Sequence, residues 1–247
     1  MIGADYNDKN YDYTSYWFGR DYENEAELLA LKKFLPKTFD KNRSVIDIGG
    51  GFGRLVPFLN SIFGKITILD YSQKQLDLTK ENASKIEVNI DVVQSDIYEL
   101  AKNVQTKFDY ALMVRVSHHL KDLDSAFNQI YEILNDGGIF ILEVANKMHF
   151  KSLIANVIKG NFRYFNRDSI NITTKDVTFL NHHPKRVEAL LRNCGFKIES
   201  RLSVSNFRSP FIKKLVPRKL LLIVENKLQR ILSLLYFGPS IFYKVRK

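Results

Sequence analysis

The residues with the clearest chemical meaning lie together in Val45-Ile46-Asp47-Ile48-Gly49-Gly50-Gly51-Phe52-Gly53-Arg54-Leu55. The β-branched residues before the glycines read as a buried strand, and Phe52 to Leu59 has a helical pattern. A glycine turn between a strand and a helix lets a ligand approach the backbone closely, because glycine accepts positive φ and has no Cβ in the way. The glycines fall at 49, 51 and 53, with Asp47 two positions before the first. A dinucleotide fingerprint needs its third glycine at 54, and Arg54 stands there instead.

The D-x-G-x-G-x-G pattern resembles motif I of the class I S-adenosylmethionine (SAM) dependent methyltransferases. That resemblance implies a SAM-binding enzyme, with Asp47, Gly49, Gly50, Gly51 and Gly53 in the cofactor turn. Its recognisable motifs cover roughly residues 44–146 and continue more loosely beyond. Asp70 ends the second strand, Lys65 to Asp70, in the crevice where open α/β sheets bind ligands. A carboxylate there can accept both ribose hydroxyls, as the matching acid does in the family, although NAD enzymes also place an acid at this point. Asp96-Ile97 follows the third strand (Val88 to Gln94) where the family reads adenine. Asp96 would accept from the exocyclic amino group, or it would simply cap the turn that follows. Tyr71 and Gln75 match positions that pack the adenine ring. FDYALMVRVSHHL (108–120) and LNDGGIFILE (134–143) resemble the family's strand 4 and strand 5 motifs, setting Met113 and Val114 beside the methionine portion.

His119 matches a family histidine that organises the loop after strand 4, while His118 is the candidate general base facing substrate. A structural role is the alternative for His118. The aromatic run Tyr11, Tyr13, Tyr16, Trp17 and Tyr22 includes Arg20, whose planar fork suits the cofactor carboxylate. Residues 1–43 would then form an aromatic and helical cover, or an aromatic strap on the sheet. Tyr16, Trp17, Arg115, His119 and His182 are the candidate substrate contacts. Neither histidine pair, 118–119 or 182–183, has acidic or Cys partners at ligand spacing, so no metal is expected. His182 and His183 read as the entry to a helix at Pro184, and Cys194 as a structural thiol.

The elements needed to position these groups alternate along the chain. Helices are expected over Tyr22 to Leu35, Ser72 (cap) to Ala83, Leu120 to Leu134 and Pro184 to Cys194; strands over 44–49, 65–70, 88–94, 108–114, 139–144, 196–204 and 241–245. Such alternation implies parallel crossovers with helices on both sheet faces. The family resemblance gives a doubly wound seven-stranded α/β sheet, order 3-2-1-4-5-7-6, with strand 7 antiparallel. The 247 residues suit one domain, 1–247, with an insertion at 147–175 and a basic amphipathic helical lid at 207–237.

Charge is unevenly placed. Residues 1–146 carry 16 Lys/Arg against 22 Asp/Glu, residues 147–200 carry 10 against 4, and residues 201–247 carry 11 against the single Glu225. The basic third suits an anionic partner or is a solvated lysine-rich surface. Leu220, Val224, Leu228, Ile231 and Leu235 form one helical stripe, expected to cover neighbouring strands as a lid. The same stripe would suit a helix lying in an anionic membrane interface. No apolar run is long enough to span a bilayer, no secretory leader is evident, and one cysteine suits a reducing, cytoplasmic setting.

The resulting expectation is methyl transfer from SAM to an oxygen or nitrogen of a small-molecule acceptor, amphiphilic or lipid-like in character. An RNA or tRNA methyltransferase is the alternative, against which stand the lack of an added RNA-binding module and of an N-P-P-Y tetrapeptide after strand 4. A non-catalytic SAM- or NAD-binding protein is the third reading.

Overall fold

The computed structural model describes residues 6–8, 12–174 and 177–247. Tyr11 and Lys175, the last residue of the expected insertion, lie outside the described residues. The chain runs α1 (Asp21–Phe34), β1 (Asp40–Ile48), α2 (Val56–Asn60), β2 (Phe63–Asp70), α3 (Gln73–Lys85), β3 (Asp91–Gln94), α4 (Leu100–Asn103), β4 (Phe108–Met113), α5 (Leu123–Ile133) and β5 (Leu134–Ala145). It continues through α6 (Phe150–Ile158), β6 (Ile170–Thr174), β7 (Val177–Asn181), α7 (Pro184–Asn193), β8 (Lys197–Val204), α8 (Pro210–Leu215), α9 (Arg218–Ser233) and β9 (Ser240–Arg246).

Seven strands pair in the order β3-β2-β1-β4-β5-β9-β8, with β9 antiparallel to both neighbours. This is the expected order, β8 and β9 taking the places of strands 6 and 7. Both sheet faces are covered, as parallel strands require. Ile46 and Ile48 of β1 join the core under α4, α5 and α7, while Val45 points to the opposite core beneath α1, α2 and α3. The carboxyl ends of β1, β2 and β4 thus meet at one edge, where the glycine turn begins.

Several local expectations shift, for identifiable reasons. No helix starts at Phe52: Gly51 and Gly53 adopt left-handed φ values of 57° and 79°, so helical geometry resumes only at Val56. β3 shortens to four residues. The third strand's early part, like the first turn of the predicted helix at Leu120, is loop; α5 begins after Asp122, whose side chain accepts from Ser125 N–H. The glycine pair at 137–138 lies within β5 rather than closing α5, because the chain turns extended at Leu134. The polar stretch before 174 carries a strand, β6, which forms an antiparallel hairpin with β7.

The basic C-terminal helix breaks in two, since Pro217 has no N–H to donate. It is also rotated relative to expectation. Leu221, Glu225, Gln229 and Ser233 are the buried stripe, packed on the edge strand β8 and on α1, whereas Leu220, Ile231 and Leu235 are 50%, 60% and 68% exposed. The polar residues decide this: the Glu225 carboxylate accepts from Tyr22 Oη at 2.7 Å and from the Ser205 N–H at 2.9 Å, and Gln229 Nε2 donates to the Ala26 carbonyl. The helix therefore covers the sheet edge at β8, not the glycine turn at the end of β1.

Candidate active site

The turn after β1 is tied to β2 from both sides. Gly49 and Gly50 N–H donate to the Leu69 carbonyl, and Gly51 N–H donates to Asp70 Oδ2 at 3.0 Å. Ser72 N–H donates to Asp70 Oδ1 at 2.9 Å, so two backbone donors hold this carboxylate. Burial nonetheless pushes its pKa upward. The glycines are not equivalent. A Cβ at Gly49 would lie 2.3 Å from Val116 Cγ2, one at Gly50 2.7 Å from Ile68 Cγ2, and one at Gly53 3.0 Å from Thr79 Cγ2. Only at Gly51 is that direction clear, with Tyr13 and Gln75 Oε1 no nearer than 3.7 Å. Gly49 and Gly50 thus line the cleft with backbone where a side chain would collide, whereas Gly51 has room for a Cβ.

Asp47 sits beneath the turn without a hydrogen bond among the described residues, and it lines the cleft with Gly49, Gly50, Arg54, Val114 and Arg115. Burial, with the Asp70 carboxylate nearby, pushes its pKa up to about 7 against the pull of Arg54. Gln75 Oε1, buried and without a partner, lies 3.8 Å from where a Cβ on Gly51 would stand. Tyr13 stands over Gly51 and narrows the cleft to about 20 Å³.

Arg54 explains why no glycine occupies 54. Its guanidinium donates to Glu27 Oε2 at 2.8 Å and Asn24 Oδ1 at 2.5 Å, and it stacks 4.0 Å from the Trp17 ring. Glu27 Oε1 in turn accepts from Arg115 Nε at 2.7 Å, and Arg115 Nη1 donates to Tyr16 Oη. Arg115 holds a left-handed φ of 65°, a strained value for a residue with a side chain. Its backbone N–H donates to Glu143, a buried acid of β5. Glu27 and Glu143 were missed by sequence reasoning. The available signal was an acid on the apolar stripe of α1 that holds Ala26, Ala30 and Phe34.

The remaining sequence candidates divide. Val114 lines the cleft, but Met113 turns into the core on one sheet face, because consecutive strand residues alternate. Asp96 Oδ1 accepts from Tyr98 N–H, the capping alternative. Ile97 is core. Arg20 lies 4.1 Å from the Tyr16 ring. Tyr71 Oη accepts from Tyr6 N–H, and Tyr6 Oη pairs with His119 Nε2 at 3.0 Å, so the N-terminal segment bridges the β2 and β4 ends. His182 is a strut: Nε2 contacts the Ser117 carbonyl and Nδ1 the Ser169 hydroxyl, fixing the β6–β7 hairpin to the β4 loop. His183 accepts from Lys185 N–H as the cap of α7. Burial and Asp124 push Cys194 up to about 11, which leaves it a thiol. Among the described residues no His, Cys, Asp and Glu cluster suits a metal.

His118 projects from the β4 loop beside Phe179 of the hairpin, ring centroids 5.2 Å apart. Burial, then His119, Arg115 and His182, hold its pKa well below the ordinary value, so the imidazole is neutral at physiological pH.

The doubly wound sheet sets the glycine turn, a strand-end acid and an acid beneath the turn at its topological switch, the place where such sheets bind ligands. Residues 46–142 match a family described as "Methyltransferase domain". An uncharacterized protein of Methanocaldococcus jannaschii is 25% identical over 82% of this chain and 81% of its own length. The ubiquinone biosynthesis O-methyltransferase of Pelagibacter ubique is 26% identical over 53% of this chain; the chain spans only 55% of that enzyme. The solved S-adenosylmethionine-dependent methyltransferase of Mesorhizobium loti superposes with TM-score 0.60 at 17% identity, covering 90% of this chain and 98% of that one. Residues 46–142 are thus matched to a methyltransferase domain, and the chain has the fold of solved SAM-dependent methyltransferases.

Proposed function

We propose that the chain methylates an oxygen or nitrogen of a small, amphiphilic molecule held between the β4 loop and the β6–β7 hairpin. The observation that carries this is the wall built there: His118 against Phe179, with His182 locking the hairpin to Ser117. That wall is aromatic and braced by the His182 contact, which suits a small molecule better than a folded RNA. SAM supplies an electrophilic methyl group on a sulfonium. The residues present fit that cofactor. Asp70 offers its free lone pairs to the ribose, Gln75 Oε1 lacks a partner at the turn, and Asp47 faces the cleft as a counter-charge for a cation. Asp96, Ile97 and Tyr71 border the adenine end, and Arg20, Tyr16 and Trp17 the carboxylate end.

Positioning supplies much of the acceleration in an in-line displacement. Neutral His118 accepts the acceptor's proton or its hydrogen bond. Incubating the protein with methyl-labelled SAM and a cell extract, then separating small molecules, lipids and RNA, tests the reading. Label in the small-molecule or lipid fraction is expected, and label in RNA alone overturns it.

A further inference from the structure

Helix α9 presents its apolar stripe to the outside. Its inward face is the polar one, with Glu225 and Gln229 bonded to α1 and to the 205–206 turn. Outward lie Leu220, Ile223, Ile231 and Leu234, at 50%, 54%, 60% and 66% exposure. The preceding helix adds Phe211 and Leu215, at 71% and 64%. An exposed apolar helix face of this kind, interrupted here only by Lys227, marks a binding surface. Next to it, an open groove of about 370 Å³ runs between α1 and α9, walled by Leu28, Leu29, Leu222 and Ile223.

The charges around the stripe identify its occupant. Lys214, Lys219, Lys227 and Arg230 are exposed and make no ion pair among the described residues. The one acid of the C-terminal segment, Glu225, is buried and bonded to Tyr22. A second copy of the chain would bring these like charges together. A nucleic acid would satisfy the cations but leave the aliphatic stripe in contact with phosphate and water. An anionic bilayer satisfies both, with phosphates for the cations and acyl chains for the leucines and isoleucines. No helix of the described residues is long and apolar enough to cross a membrane, so the contact is peripheral.

We propose that α8 and α9 form a docking face for an anionic lipid surface, with α9 lying in the interface and the α1–α9 groove open to an acyl chain. The proposal is independent of the acceptor: loss of docking leaves methyl transfer in solution intact.

Co-sedimentation of the full chain with phosphatidylcholine vesicles, with or without phosphatidylserine, at low and high salt tests it. Binding is expected only with phosphatidylserine, and salt should weaken it. The pairs Ile231→Ser/Leu234→Ser and Lys219→Glu/Lys227→Glu should each reduce binding about tenfold or more. Because all four residues are exposed, the unfolding temperature and SAM affinity should not move. Failure of the wild type to bind phosphatidylserine vesicles overturns the proposal, as does binding that neither pair weakens. A homodimer abolished by Ile231→Ser/Leu234→Ser would assign the stripe to a second copy and likewise overturn it.

Discussion

Glu27 of α1 and Arg115 at the end of β4, 88 residues apart in sequence, meet through Nε and Oε1 at 2.7 Å, and the same carboxylate holds Arg54 through its other oxygen at 2.8 Å. One buried acid thus joins the glycine turn, the β4 end and the helix that carries the N-terminal aromatics. Tyr16 and Trp17 rest on the two guanidiniums it fixes.

Removing that acid leaves two guanidiniums without their charge partner in a buried setting. Glu27→Ala should lower unfolding stability by about 3–5 kcal/mol, the usual cost of breaking a buried ion pair from one side. Glu27→Gln keeps the shape and should cost less. Urea denaturation of both variants measures this, and equal, small losses would show that the cluster is solvated and weak.

Asp47 gives a pH prediction whose sign follows from its raised pKa. Its ordinary carboxyl value is 3.8, and the folded value is about 7. The folded chain therefore binds this proton more tightly than the unfolded one, so the Asp47 contribution to stability falls as pH rises from about 4 to about 7. Binding of a cationic ligand needs the ionised form. SAM affinity should rise with pH, roughly tenfold per unit below 7, and then level off. Calorimetric titration at several pH values checks this; Asp47→Asn should bind weakly and without the slope. A flat wild-type profile would remove Asp47 from the cofactor's surroundings.

The glycines separate packing from ligand approach. Gly49→Ala places a methyl 2.3 Å from Val116 and must destabilise the fold, by roughly 1–3 kcal/mol as over-packing does, on top of the strain of its left-handed φ of 69°. Gly51→Ala meets nothing closer than 3.7 Å, yet its left-handed φ of 57° costs about 1–2 kcal/mol and its methyl points toward Tyr13 and Gln75 Oε1. Gly51→Ala should therefore lose SAM affinity out of proportion to its small loss of stability, and Gly49→Ala the reverse. Paired thermal unfolding and calorimetry distinguish them, and parallel losses in both would contradict the assignment.

The glycine turn, the cap at Ser72 and the helix start at Pro184 were legible because they are local patterns: β-branched alternation, a glycine run, a hydroxyl or a proline opening a helix; the strand order came with the family resemblance. The Glu27 cluster was not, since it joins three segments distant in sequence. Helical spacing revealed that Leu220, Ile231 and Leu235 share a face, but not which face turns inward. That depended on Tyr22 and Ala26 offering partners to Glu225 and Gln229. The β6–β7 hairpin escaped because the β-branched residues of β6, among them Ile170 and Ile172, are interspersed with asparagine and threonine inside the insertion at 147–175.

Tyr13 narrows the cleft, so cofactor entry requires the N-terminal aromatics to shift. Trp17, the only tryptophan, reports on that shift: it stacks on Arg54 and its Nε1 is buried without a partner. Saturating SAM should change its emission, and Arg54→Lys, which removes the planar stack, should change the unliganded spectrum itself. An emission spectrum untouched by SAM at concentrations shown calorimetrically to saturate would mean that these aromatics stay in place.

His118 separates chemistry from binding. At saturating SAM, kcat reports groups in the loaded enzyme, where Asp47 is already ionised. His118→Ala should lower kcat about a hundredfold or more, the usual worth of a positioned base, while SAM affinity stays within a few-fold. The buried imidazole is held neutral, with its pKa far below the ordinary value of 6.5, so the wild-type kcat should show no histidine limb near that pH. A limb there that disappears in His118→Ala would mean the ring titrates as an exposed histidine does. In that case the wall formed with Phe179 opens to solvent during turnover, and the proposed acceptor site beside it fails with it.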